Sequence, residues 1–186
     1  MVKINFSEFI KIPNLISSAR ILLLIPSIIL FQDFEINRIP LILIGIIAAL
    51  LDNLDGYLAR RFNEITELGK ILDPLADKLI VAVFGIGLVL NGAIPTWFAA
   101  LVISRDLIII LFSLLFMSKV DKVAASNFIG KFTVTMTGVS FLLALFGIET
   151  GNLIFDGFII LTSIFVVISL VVYARTNYFY TKHNIE

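Results

Sequence analysis

Six apolar runs divide this chain, at residues 12–31, 39–61, 68–90, 96–117, 128–148 and 153–173. Each is about 20 residues long, enough to cross a bilayer as a helix. With 59% apolar residues and a mean hydropathy of +1.05, the chain lies far outside the range of soluble domains. The expectation is an all-α, polytopic membrane protein with six transmembrane helices, forming a single domain over residues 1–186. Pro13 and Asn14 open the first run, and Pro95 precedes the fourth, as helix starts prefer. Pro74 falls inside the third and is expected to kink it beside Asp73. Residues 1–11 alternate apolar and polar side chains, predicting a short N-terminal helix on the membrane surface. A cleavable signal peptide is not expected, because the first run is long, contains Arg20 and has no small-residue cleavage pattern.

The basic residues set the expected orientation. With the amino terminus in the cytoplasm, twelve of the 14 Lys and Arg residues collect on that side, Arg38 alone lies opposite, and Arg105 sits mid-membrane. Six spans return the carboxyl terminus to the cytoplasm. A prokaryotic inner (cell) membrane is the expected location. Cysteine is absent, which excludes disulfides and thiolate metal sites. Net charge is zero and no nucleic-acid partner is expected; His183 lies in a polar tail and is given no role.

Four carboxylates interrupt the apolar pattern, at Asp52, Asp55, Asp73 and Asp77, within the spacing D-x2-D-G-x2-A-R-x8-G-x3-D-x3-D. An unpaired charge in a span costs several kcal/mol, so something must compensate these. On a helix, Asp52, Asp55, Gly56 and Ala59 share one stripe, with Arg60 at its edge; Gly69, Asp73 and Asp77 form a second. The intervening residues suit a turn between antiparallel helices, so the stripes are expected to face each other around a small volume. Hard oxygen ligands in that arrangement suit two divalent ions, Mg²⁺ or Mn²⁺. The small residues leave room for a bulky ligand against the backbone, and a metal pair beside an arginine suits phosphoryl or phosphatidyl transfer. Close helix packing explains Gly69 or Ala59 alone, but not four aspartates in register with them.

These eight positions resemble the signature of the CDP-alcohol phosphatidyltransferase family, and a weaker likeness runs from Ile12 to about Lys131. The resemblance implies that Asp52, Asp55 and Asp73 are metal ligands. Asp77 becomes the base for the acceptor hydroxyl and a ligand of the second ion. Gly56, Ala59 and Gly69 leave space for the cytidine nucleotide, and Arg60 meets its phosphates. The substrates implied are CDP-diacylglycerol and an alcohol or phospholipid acceptor, with CMP released. A homodimer is compatible with this reading.

Asn14, Ser17 and Arg20 share a helical face in the first span. Family members carry a similar N-x2-T/S-x2-R run, which assigns Asn14 and Ser17 to the nucleotide pocket. Arg20 either contacts a phosphate or holds an aspartate. In the fourth span, Arg105 and Asp106 point about 100° apart as helix neighbours, so they are not expected simply to neutralise each other. Arg105, Lys131 and Ser126 are the expected acceptor-binding residues; a structural ion-pair network is the alternative for Arg105 and Asp106. Phosphatidylglycerophosphate synthases carry Arg-Glu here and a later Leu-Arg, where this chain has Asp106 and Ser113. The Ser104-Arg105-Asp106 triplet is more similar to cardiolipin synthases, implying phosphatidylglycerol as acceptor, with glycerol 3-phosphate as the alternative. A cation transporter, the rival from another class, calls for carboxylates deep in several spans. Here they cluster on two.

Overall fold

The computed structural model describes residues 11–62, 66, 68–116 and 128–183. Every regular element among them is helical. The chain forms two compact units, Met1–Asn91 and Gly92–Glu186.

In the first unit, α1 (Ile12–Leu22) starts at the Pro13 turn, where a residue without an N–H costs nothing. It breaks at Leu23 before α2 (Leu24–Leu30). Pro26 accounts for the break: its ring crowds the carbonyl four residues back, which belongs to Leu22, the last residue of α1. A 3₁₀ turn at Phe31–Asp33 leads into α3 (Phe34–Arg61), whose 28 residues extend about 42 Å. The hairpin returns through α4 (Gly69–Leu90), which continues through Pro74. Phe31 stacks on Phe34 at 6.0 Å and meets Phe84 edge-on at 5.5 Å. Gly87 is required there, because a Cβ at that position would fall 2.6 Å from the Phe31 ring.

The helix order in space differs from the expected hairpin. α1 packs extensively on both α3 and α4, whereas α3 and α4 touch each other only slightly. The two aspartate stripes therefore converge against α1, where Ser17 meets both Asp55 and Asp73, and not through direct packing of α3 on α4. Periodicity defined which residues share a face, but not which helix that face would meet.

In the second unit, α5 (Thr96–Phe116) and α6 (Phe128–Leu145) each pack against α7 (Leu153–His183). Phe98, Phe141, Phe155, Ile159 and Val166 are buried in this unit. Gly147 and Gly151 take positive φ values of 86° and 99° in the α6–α7 turn. Thr150 ties that turn to the start of α5, its N–H and hydroxyl both donating to the Ala93 carbonyl at 3.2 Å.

In both units polar side chains share the interior with apolar ones, while large apolar side chains cover the outside. Asn14, Ser17, Arg20, Arg105, Asp106 and a series of Ser and Thr residues are buried, while Ile36, Ile39, Leu153 and Ile154 are among the most exposed side chains. That arrangement suits a lipid surround, which takes apolar side chains outward and drives polar ones together. The helices overlap the six expected runs, the first being the α1–α2 pair, but α3 starts earlier, at Phe34, and α7 continues to His183. Among the described residues, length and composition single out three stretches able to cross a membrane: Ile12–Leu58, Phe128–Leu145 and Leu153–Thr176. The first stretch takes in everything from α1 to α3, and the last 18 residues of α4 include Asp73, Asp77 and Lys78. The surface helix expected over residues 1–11 lies outside the described residues except for Lys11.

Candidate active site

α1 carries a polar face of Asn14, Ser17 and Arg20, all buried to within about 1% of complete. Each of the three reaches a different part of the aspartate motif. The Arg20 guanidinium spans two carboxylates of α3. Its Nη1 is paired with Asp52 Oδ1, and its Nη2 donates to Asp55 Oδ2 at 2.7 Å. The expected alternative that Arg20 holds an aspartate is therefore the one observed, and it holds two.

Ser17 joins α3 to α4. Its hydroxyl oxygen lies 2.5 Å from Asp73 Oδ1, 3.2 Å from Asp55 Oδ2 and 3.0 Å from the Pro13 carbonyl. A hydroxyl has one proton to give. The nearest oxygen, on Asp73, is its best acceptor, which leaves Asp55 to Arg20. Two carboxylates from different helices thus converge on one hydroxyl, with a single guanidinium as their buried cation among the described residues.

Asn14 secures the segment between the helices. Its amide donates to Thr66 Oγ1 at 2.9 Å, and the Gly69 N–H donates to the same oxygen at 2.9 Å. Thr66 thereby satisfies an otherwise orphan N–H at the start of α4. A Cβ at Gly69 would fall 2.8 Å from Asn14 Oδ1 and 3.0 Å from Thr66 Oγ1. Gly69 is therefore needed for the close approach of α1, whatever else the space admits. Thr66 was missed in the sequence, where a lone Thr before Gly69 matches no capping box and carries no signal of this contact.

The remaining expected residues are distributed as follows. Asp77 stands one turn beyond Asp73 on α4, partly exposed, with Lys78 Nζ 3.3 Å away. Gly56 is half-buried on α3. Ala59 and Arg60 lie in the last turns of α3, but their side chains are outside the described ones, and Ser126 lies outside the described residues altogether. Lys131 is exposed near the start of α6.

Arg105 and Asp106 require a correction. Arg105 Nη1 lies 2.6 Å from Asp106 Oδ1, and Arg105 Nε donates to Ser169 at 3.2 Å. The neighbours do neutralise each other. Their Cβ atoms diverge as the helix dictates, but the arginine side chain is long enough for its head to swing back across the angle.

Among the described residues, no three acidic, His or Cys side chains are gathered tightly enough to form a metal shell as they stand. The donor chemistry nevertheless fits Mg²⁺ or Mn²⁺. Asp52, Asp55 and Asp73 are hard oxygen donors brought from two helices to one face of α1, and the charge they share calls for a cation.

Comparison with known proteins agrees with this architecture. The chain belongs to the CDP-alcohol phosphatidyltransferase family, whose pattern it matches over residues 10–175. It is 36% identical over 134 residues to the CDP-diacylglycerol–glycerol-3-phosphate 3-phosphatidyltransferase of Bacillus subtilis, a match covering 65% of this chain and 69% of that protein. An Aquifex aeolicus protein of the same name is 44% identical over 69 residues, covering 37% of this chain and 38% of that one. The rat cardiolipin synthase (CMP-forming) is 38% identical over 104 residues, covering 53% of this chain and 32% of that one. The chain thus spans well under half the length of the last two relatives.

Proposed function

We propose that this protein transfers a phosphatidyl group from CDP-diacylglycerol to glycerol 3-phosphate, releasing CMP. The observation supporting this acceptor most directly is the match to the Bacillus subtilis enzyme, which extends over most of both chains and whose name specifies glycerol 3-phosphate. The sequence comparison of the Ser104-Arg105-Asp106 triplet had favoured phosphatidylglycerol. That argument loses its force once Arg105 is occupied by Asp106 and Ser169. Phosphatidylglycerol remains the second reading on the strength of the cardiolipin synthase match.

In this reading the acceptor hydroxyl attacks the lipid-bearing phosphorus of the donor. Asp77, the least engaged of the four carboxylates, takes the hydroxyl proton. The bond from that phosphorus to the CMP oxygen breaks as the new ester bond forms. Asp52, Asp55, Asp73 and Asp77 would hold two divalent ions, which would neutralise the diphosphate and stabilise departing CMP. Ser17 fixes Asp73 relative to Asp55, and the Asn14–Thr66 contact fixes the start of α4, so the carboxylates are positioned before the donor arrives. We further assign the protein to a cell membrane as a six-span chain, with the site and both termini cytoplasmic, on the twelve-to-one division of basic residues.

The deciding experiment is an acceptor screen with labelled CDP-diacylglycerol and purified protein. Product with glycerol 3-phosphate, and at least about tenfold less with phosphatidylglycerol, is expected for an acceptor held through a dianionic phosphomonoester, which phosphatidylglycerol, a singly charged diester, lacks. The reverse preference would establish the cardiolipin synthase reading.

A further inference from the structure

We propose that Arg20 is an internal counter-ion that holds Asp52 and Asp55 until a divalent cation displaces it, so that metal entry is an exchange of cations. The inference rests on the metal-dependent reading above. A guanidinium and a divalent ion compete for the same oxygens, and Arg20 already engages Asp52 Oδ1 and Asp55 Oδ2. An ion that binds those atoms must take them from it.

Three further observations point to a contact that yields. Arg20 is 1% exposed, yet its Nε has no hydrogen-bond acceptor among the described residues, so this pose leaves a buried donor unsatisfied. Its two partners differ in access: Asp55 is 4% exposed and Asp52 is 51% exposed, which lets an ion from water reach the pair at Asp52 first. Finally, Ser17 gathers Asp73 beside Asp55 with only one proton to give, so three carboxylates stand near Arg20 and their charge exceeds what the guanidinium balances. Arg20 stabilises the metal-free fold, and the same contact weakens the first metal-binding step.

The test is a Mn²⁺ titration followed by electron paramagnetic resonance, using the full chain in detergent without substrates. Wild type, Arg20→Gln and Arg20→Lys are compared, with melting temperatures recorded with and without Mn²⁺. Arg20→Gln should bind Mn²⁺ about tenfold more tightly or better, since no charge-assisted contact has to be broken. Its metal-free melting temperature should fall, and its metal-induced rise should exceed that of wild type. Arg20→Lys should lie between. Equal or weaker Mn²⁺ binding by folded Arg20→Gln would overturn the inference and make Arg20 a residue that positions the ligands. Should Arg20→Gln not fold, Arg20→Lys decides on the same criterion. Failure of wild type to bind Mn²⁺ at all would instead remove the metal reading, and this inference with it.

Discussion

Each unit of the protein buries an arginine, one against two carboxylates and the other against one, and the two arginines do different things. Arg20 on α1 reaches Asp52 and Asp55 on another helix, separated from it by 32 and 35 residues. Arg105 pairs with the next residue on its own helix. The first pairing ties elements together and leaves the carboxylates shared, with Ser17 drawing in Asp73 from a third helix. The second neutralises a charge locally, and Ser169 of α7 completes it. A buried ion pair is thus weak evidence for a reacting site. Charge shared between helices, with more acceptors than donors, is stronger evidence. The polar residues of α6 and α7 extend the contrast: Thr133 donates to the Phe165 carbonyl at 3.2 Å, and Ser140 faces Thr162 at 3.4 Å, with no ionised group involved.

The comparison is sharpened most by Asp73→Asn. Asparagine keeps an oxygen for the Ser17 hydroxyl, so the fold should survive with a melting temperature near that of wild type. Transfer should nevertheless fall on the order of 10³-fold, as expected when a group stabilising transition-state charge is removed. Near-normal turnover in a folded variant would break the distinction between the two arginine centres at its root.

Arg105→Gln should behave in the opposite way. It removes the Arg105 guanidinium from buried Asp106, and losing one partner of a buried pair costs up to about 3–5 kcal/mol. Yield and melting temperature should drop, while the KM values for donor and acceptor in the surviving protein change alike. A selective rise in the acceptor KM would return Arg105 to the acceptor pocket. The smallest effect belongs to Ser140→Ala. Its contact with Thr162 is long, and its hydroxyl also donates to Met136 in its own helix, so the loss should be about 0.6 kcal/mol. A larger drop in thermal stability would mean that the α6–α7 contact does more than align two helices.

Much of this protein was legible without coordinates. Apolar runs near the length of a span located every helix, because the hydrocarbon region rewards only segments that satisfy their own backbone. The three- and four-residue spacings placed Asp52 with Asp55, and Asp73 with Asp77, on shared faces. The eight fixed positions of the motif pointed to the family. Two readings needed the packing to complete them. Arg105 and Asp106 were separated by treating a long side chain as though it ended at Cβ. The two aspartate stripes do converge, but through Ser17 of α1, a helix that a simple hairpin of their own two helices leaves out.

Sequence by itself therefore determined the helices, the polar faces they carry and the chemistry of the donor atoms, since these follow from local backbone geometry and residue type. Only the tertiary structure decided that α1 lies against both α3 and α4. It also decided that Ser17 joins Asp55 to Asp73, that Thr66 seats Asn14 against Gly69, and that Arg20 is committed to two carboxylates. Those contacts join residues 35 or more positions apart in all but the Asp52 and Thr66–Gly69 cases. A helical period carries no information across such a distance; the packing of whole helices does.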